Sequence, residues 1–296
     1  MGAGSRVRQF EYRFYQGEPS LSDAVKSCNE GGELIAEFGE YQIVNGADGY
    51  ELVKGGRIVG IFEEASIESE RVVFKLSTGM LLEVTDEGVR EVFTKEKAGL
   101  HGLTASDGSL YNGRPGSRAY RISLESESPE LTDLYSQYFE AVYHRQMHQY
   151  PDRGYPRVVV GNKMAFYDLK NYGAKTGLYT WNVPREYLDR EGAAEWLKCF
   201  FSGDGTVKLV CAGEDYDISF ESTHKEGLEN IQSLLLDEFG IKSRLHGPYG
   251  EDRPDRRPEY SLRVWDEVEF AEEIGSYKEM HIKRLGEILR RKKGEG

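Results

Sequence analysis

Leu100–Leu110 reads LHGLTASDGSL, and Leu197–Val207 reads LKCFFSGDGTV. The two stretches align without a gap on the pairs Asp107-Gly108 and Asp204-Gly205, 97 residues apart. Further matches follow in the same order. RISLESESPEL (Arg121–Leu131) lies after the first, and DISFESTHKEGL (Asp217–Leu228) after the second. Asp107 to Ile122 is 15 residues, and Asp204 to Ile218 is 14. Order-preserving matches at near-equal offsets indicate a duplicated α/β unit. In each copy a helix is expected to stop at the D-G pair, because Gly108 and Gly205 suit the left-handed position that ends helices. Strand patterns follow over Ala119–Glu125, Thr206–Ala212, Tyr216–Glu221, Ser243–Gly247 and Tyr260–Val264. Helical apolar spacing marks Leu131–Tyr143, Leu228–Phe239 and a final stretch from about Val268 to Arg291.

The two D-G helices carry the chemistry. Each places small residues four apart on one face, Gly102 with Ser106 and Cys199 with Gly203. Small residues at that spacing let two helix backbones approach closely. Their ends would then set Asp107 beside Asp204. Two carboxylates repel, and each would also meet the negative end of a helix dipole. Divalent cations are the natural compensation; Mg²⁺ favours carboxylates, water and phosphate oxygens. Metals held there would stabilise both the attacking and the leaving oxygen of a phosphodiester.

Outward from this repeat the chain changes character. From Gly32 to Phe93 short strands alternate with Gly-Gly, Asn-Gly and Thr-Gly turns, at Tyr41–Val44, Tyr50–Val53, Arg57–Phe62, Arg71–Leu76 and Met80–Thr85. We expect a β-rich module over 1–94 and a two-copy domain over 95–296, split at 190/191. The 296 residues hold 38 basic and 51 acidic side chains, a net charge of −13. Residues 1–94 contribute 9 basic and 17 acidic side chains, leaving 29 and 34 for the rest. An acidic total repels nucleic acid at long range, but the charge is uneven. Lys278–Lys293 holds seven basic residues and two acidic ones. Phe, Tyr and Trp number 35, too many for a chain dominated by disorder. No apolar run approaches the roughly 20 residues that span a bilayer, so no membrane partner is expected. Cys28, Cys199 and Cys211 are too few and scattered for a disulfide framework. A reducing, cytoplasmic location is expected.

LHGLTASDG and LKCFFSGDG resemble the two namesake motifs of the LAGLIDADG homing endonucleases, in the single-chain form found within inteins and introns. Lys163–Pro184, Ala194–Val207, Leu228–Ser243 and Phe270–Leu285 resemble that family's supporting segments, so the resemblance spans roughly 95–290. It implies an α+β fold in which two pseudo-two-fold halves each supply an antiparallel sheet, forming a saddle over double-stranded DNA. It implies a monomeric, metal-dependent, site-specific endonuclease. Asp107 and Asp204 would be catalytic metal ligands, joined by Ser106 and Gly203. Mg²⁺ or Mn²⁺ would support cleavage, and Ca²⁺ binding alone. A basic residue from each half would assist at the scissile phosphate; Lys175 and Lys283 occupy the approximate positions, with Lys170 and Lys278 nearby. Strand residues would read the major groove. Arg114, Arg118, Arg121, Lys208, Lys242, Arg244 and Arg263 are the candidate DNA contacts. The first motif departs from the family pattern with Thr104-Ala105 where Ile-Asp is common, and with His101 in place of a small residue.

Blander readings stand beside these. Aspartates at helix ends are often ordinary turn residues, and single lysines are usually solvated. His144 and His148 sit four apart but lack a third ligand at convincing spacing. Cys199 reads as a small interface residue, and Tyr172, Tyr179 and Trp181 as core or interface residues rather than base-stacking ones. Val72–Val89 faintly resembles the strand segment of intein splicing domains, yet Asp86-Glu87-Gly88 stand where the histidine motif belongs. No splicing chemistry is expected of it; a decayed splicing domain and an accessory module fit equally. The leading rival function is a non-cleaving nucleic-acid binder on the same scaffold, an intron-RNA maturase or a transcriptional regulator. A protein-interaction module is the rival from another class.

Overall fold

The computed structural model describes residues 36–38, 41–46, 49–54, 57–68, 71–85, 88–113, 119–152, 154–175, 180–210, 215–250 and 257–292. The chain divides into two compact units, Met1–Thr94 and Lys95–Gly296. In the first, seven strands form one antiparallel meander in chain order: β1 (Ala36–Phe38), β2 (Tyr41–Gly46), β3 (Gly49–Lys54), β4 (Arg57–Glu68), β5 (Arg71–Leu76), β6 (Met80–Thr85) and β7 (Gly88–Phe93). Phe74 faces Leu82 and Met80 faces Phe93 across β5–β7, and all four are buried. Strand β7 was not anticipated, because its charged Arg90 and Glu91 mask the alternation.

The second unit repeats one topology twice. The first copy runs α1 (Lys95–Ala105), β8 (Gly108–Tyr111), β9 (Arg121–Glu125), α2 (Pro129–Tyr143), β10 (His148–Asp152), β11 (Tyr155–Gly161) and α3 (Lys163–Asn171). The second runs α4 (Arg190–Asp204), β12 (Gly205–Val210), β13 (Asp215–Ser222), α5 (Lys225–Phe239), β14 (Ser243–Tyr249), β15 (Glu259–Val264) and α6 (Glu267–Glu273), followed by α7 (Glu279–Lys292). Each copy builds a four-stranded antiparallel sheet with the same order, first-second-fourth-third: β8-β9-β11-β10 and β12-β13-β15-β14. Helices cover one face of each sheet. In the first, Ile122, Leu124, Val158 and Val160 pack against Leu131, Tyr135 and Phe139 of α2. In the second, Phe201 packs edge-on to both Phe220 and Phe270.

Helices α1 and α4 form the centre. Every residue of α1 from Lys97 to Ala105 is buried, as expected of a helix surrounded by protein. The anticipated small-residue seam brings the two together. A Cβ built on Gly102 would lie 2.5 Å from the Trp196 carbonyl oxygen and 3.2 Å from the Cys199 Cβ. One built on Gly203 would lie 2.6 Å from the Ser106 Cβ.

Two local expectations need correction. Gly108 and Gly205 do not end their helices in the left-handed region; Gly205 has φ −88 and ψ 161 and opens β12. Glycine is required there for space. A Cβ at Gly108 would lie 2.5 Å from the Thr104 Cα, and one at Gly205 would strike the Phe201 carbonyl and ring. The strand folds back across the last helical turn, and a side chain would block it. Secondly, the final helix is two helices. Gly275 at φ +70 breaks it, and the Ser276 hydroxyl accepts the Lys278 backbone N–H ahead of α7.

Candidate active site

The helix-end chemistry begins with desolvation. Asp204 is the last residue of α4, and Asp107 lies in the turn after α1. Burial raises the proton affinity of both. Asp204 is pushed up to about 7, first by burial and then by the charge of Asp107, with Lys175 and Lys278 opposing. The Asp107 carboxyl is likewise raised by burial and drawn back by Lys278 and Lys175.

Two ammonium groups meet this charge, one from each copy. Lys175 follows α3 and donates to the Ser106 carbonyl oxygen at 3.0 Å. Lys278 follows α6 and donates to the Gly203 carbonyl oxygen at 3.2 Å. Each lysine therefore caps the carbonyl immediately preceding an aspartate. Burial lowers the Lys175 pKa, while Asp204 and Asp107 act to raise it.

The structure thus brings together Asp107, Asp204, Lys175 and the backbones of Ser106 and Gly203. It does not bring Lys283. That side chain is exposed on α7, facing Glu287 electrostatically, and Lys278 stands at the site instead. The expectation rested on family resemblance, with Lys278 as the neighbouring alternative; the break at Gly275 leaves Lys278 just ahead of α7, within reach of the Gly203 carbonyl. Lys170 is exposed on α3. Helix α2 ends at Tyr143, and His144 adopts φ 52, so His144 and His148 never share a helical face. Among the described residues no cluster of three or more His, Cys, Asp or Glu side chains forms a metal cage. The donors at the centre are all oxygens, two carboxylates and two carbonyls. That hard, anionic and partly dehydrated set fits Mg²⁺ or Mn²⁺ completed by water and phosphate oxygens.

Trp196, which the sequence did not single out, supports the site together with His101. Trp196 donates its indole N–H to His101 Nδ1 at 2.9 Å, which leaves Nε2–H to donate to the Tyr172 carbonyl at 3.0 Å. His101 thus fills the seam as a bridge, and burial lowers its pKa to about 4, keeping it neutral. Cys199 sits in the same seam, its thiol directed at Glu195 and its pKa raised by burial. Trp181 is core, tilted against Phe200 with ring centroids 4.4 Å apart, and Tyr172 packs edge-on to Tyr187. Tyr179 lies outside the described residues.

The helix-free sheet faces carry the remaining candidates. Arg121, Lys208, Arg244 and Arg263 are exposed and alternate with the buried strand residues. Arg263 lies opposite Arg244 in register, and Lys208 opposite Asp217. Two of them are paired: Lys208 with Glu221 at 2.8 Å and Arg263 with Asp217 at 3.6 Å. Lys242 is exposed just ahead of β14. Arg114 and Arg118 lie outside the described residues. Among those described, no helix is long and apolar enough to cross a membrane.

The chain has distant likenesses among solved structures. A computed likeness links the chain to the homing endonuclease I-DmoI in complex with DNA and Mn, at 18% identity and a TM-score of 0.47, covering 61% of this chain and 96% of that one. Full-length DUF199/WhiA from Thermatoga maritima is similar at 12% identity and a TM-score of 0.42, covering 67% and 61%. The N-terminal LAGLIDADG domain of DUF199/WhiA gives 12% and 0.39, covering 65% and 82%. A search of curated proteins finds no match. Residues 191–275, from α4 to the turn after α6, match the family model of the LAGLIDADG-like domain, a match confined to the second half of the duplicated unit.

Proposed function

We propose that this protein is a metal-dependent, site-specific DNA endonuclease that hydrolyses both strands of a long duplex. The observation that carries the reading is the paired centre: two partly buried aspartates from duplicated helix ends, each with a lysine from its own half on the preceding carbonyl. Asp107 and Asp204, with the Ser106 and Gly203 carbonyls, would hold Mg²⁺ or Mn²⁺. Such an ion supplies positive charge for the attacking and leaving oxygens of an in-line displacement. Lys175 and Lys278 hold positive charge beside each carboxylate and orient toward the centre. The open sheet faces, with Arg121, Arg244, Arg263, Lys208 and Lys242, would grip the duplex, and Arg114 and Arg118 belong to the same proposal. The boundary near residue 94 and the monomeric state are parts of it too, with 1–94 as an accessory module.

The test uses Asp107→Asn and Asp204→Asn, which keep side-chain size and remove one charge each. Cleavage of a target selected from a randomised duplex library should fall below detection in either variant, because the parts of a metal site act jointly. DNA binding in Ca²⁺ should persist, with steep salt dependence from phosphate contacts. Near wild-type cutting by either variant would remove the two-carboxylate mechanism. A second reading, a non-cleaving nucleic-acid binder, is favoured by one observation: Lys208 and Arg263 are tied to carboxylates on the face that would meet DNA. Tight binding of duplex or structured RNA without metal-dependent cutting would select it.

A further inference from the structure

Lys175 and Lys278 both sit on short segments after a third helix. Backbone bonds tie Gly173 and Ala174 to the end of α3, and the Lys278 carbonyl accepts the Ile282 N–H of α7. Side chains fasten both segments further. In the first half, His101 of α1 donates to the Tyr172 carbonyl and is itself fixed by the indole of Trp196 on α4. The Lys97 ammonium lies over the Tyr172 ring, 4.6 Å from its centroid. The next carbonyl, of Gly173, accepts the Asn182 N–H at 2.8 Å, and two residues later Lys175 reaches Ser106.

In the second half the fastening runs through hydroxyls. The Ser202 hydroxyl donates to the Lys198 carbonyl and accepts the Tyr277 N–H at 2.8 Å. The Tyr277 phenol donates to both oxygens of Glu195, at 2.9 and 3.0 Å. Tyr138, from α2 of the first half, donates to the same carboxylate at 2.9 Å. Glu195 is only 4% exposed, so these donors replace the water it lost. The residue after Tyr277 is Lys278.

We infer that His101 and Tyr277 are positioning residues, one for each lysine, and that each is braced by a side chain from the opposite half. Trp196 of the second half holds His101; Tyr138 of the first half supports the Glu195 that holds Tyr277. The braces make each ammonium's placement depend on the packing of both halves. This inference rests on the reading of Lys175 and Lys278 as the cations of the site.

The experiment uses the full chain carrying isotope-labelled lysine, with the two ammonium signals assigned by Lys175→Arg and Lys278→Arg. Buried, hydrogen-bonded ammonium groups exchange protons slowly and give separate signals. Tyr277→Phe, which keeps the ring, should abolish or shift the Lys278 signal and leave Lys175 in place. His101→Leu should do the reverse. His101→Gln, able to accept from Trp196 and donate to Tyr172, should restore Lys175. Destabilisation alone would move both lysines together, and that result overturns the assignment, as does a variant that leaves its own lysine unmoved. Strand cutting is followed on the same samples. Lysine-selective shifts in a protein that cuts no DNA would remove the endonuclease reading and uphold the positioning roles.

Discussion

The two halves of the duplicated unit share a topology and differ in how they are fastened. Both place a lysine after the third helix onto the carbonyl ahead of an aspartate. The first half does so with buried charge. Lys97, fully buried, spans both oxygens of Asp168, Oδ2 at 3.0 Å and Oδ1 at 3.2 Å, and Tyr143 donates to Oδ2 at 2.5 Å. At equal offsets from the aspartate and the lysine, the second half has Ala194 and Ala271. There Phe201 packs with Phe220 and Phe270. Tyr277 is held by the Ser202 hydroxyl and by Glu195, a buried carboxylate that accepts from phenols and has no lysine partner among the described ion pairs. Duplication has preserved strand order and backbone course, while the interior chemistry has diverged. A buried ion pair is seldom more stable than an apolar replacement, but it is costly to break.

That contrast can be broken directly. Asp168→Asn leaves the Lys97 ammonium buried without a countercharge and should cost about 3–5 kcal/mol in chemical denaturation. Ala271→Ser, at the equivalent offset, should cost far less. Equal losses would show that the halves are fastened alike.

The shared centre answers to pH. Asp204 holds its proton to about pH 7 in the folded protein, against 3.8 for the ordinary carboxyl. Between those values the folded state binds more protons than the unfolded state, so stability falls as pH rises through this window. The full penalty, on the order of 4 kcal/mol at most, applies above pH 7. Asp204→Asn should therefore melt higher than wild type at pH 8 and close to it at pH 4. Mg²⁺ should raise the wild-type melting temperature at pH 8 and have little effect on the variant. A wild-type curve flat between pH 4 and 8 would remove the buried-carboxylate account.

The smallest test compares two glycines. Gly102→Ala forces a methyl against the Trp196 backbone and should destabilise by about 1–3 kcal/mol. Gly286, on α7, has nothing within 4 Å of an added Cβ. Gly286→Ala should stabilise by about 0.5–1 kcal/mol through helix propensity. Thermal melts of both variants check the opposite signs.

The aspartates were legible because a repeated helix-to-strand turn leaves a repeated string. The lysines were legible only in part. Lys175 with Lys283 and Lys170 with Lys278 share an offset of 108 residues, so the sequence offered two parallel pairings. The structure pairs Lys175 with Lys278, because Gly275 breaks the last helix and sets its own phase. The β10–β11 hairpin was missed for a different reason. Pro151 and Pro156 face each other across it, and proline argues against a strand except at edges or ends, which is where they lie. His101 could not be interpreted from sequence, since its partners are an indole and a carbonyl 95 and 71 residues away.

One junction has a mechanical consequence. Helix α4 ends at Asp204 and strand β12 begins at Gly205, with no linker between them. Slack is what normally insulates one element from another, and here there is none. A twist of the second sheet therefore reaches the Asp204 carboxylate through a single peptide link. The first half turns nearly as tightly: the Ser106 N–H keeps the helical bond to the Gly102 carbonyl, which leaves Asp107 alone before β8. A load that bends either sheet would move its own carboxylate, so the spacing between the two would register how the sheets are bent.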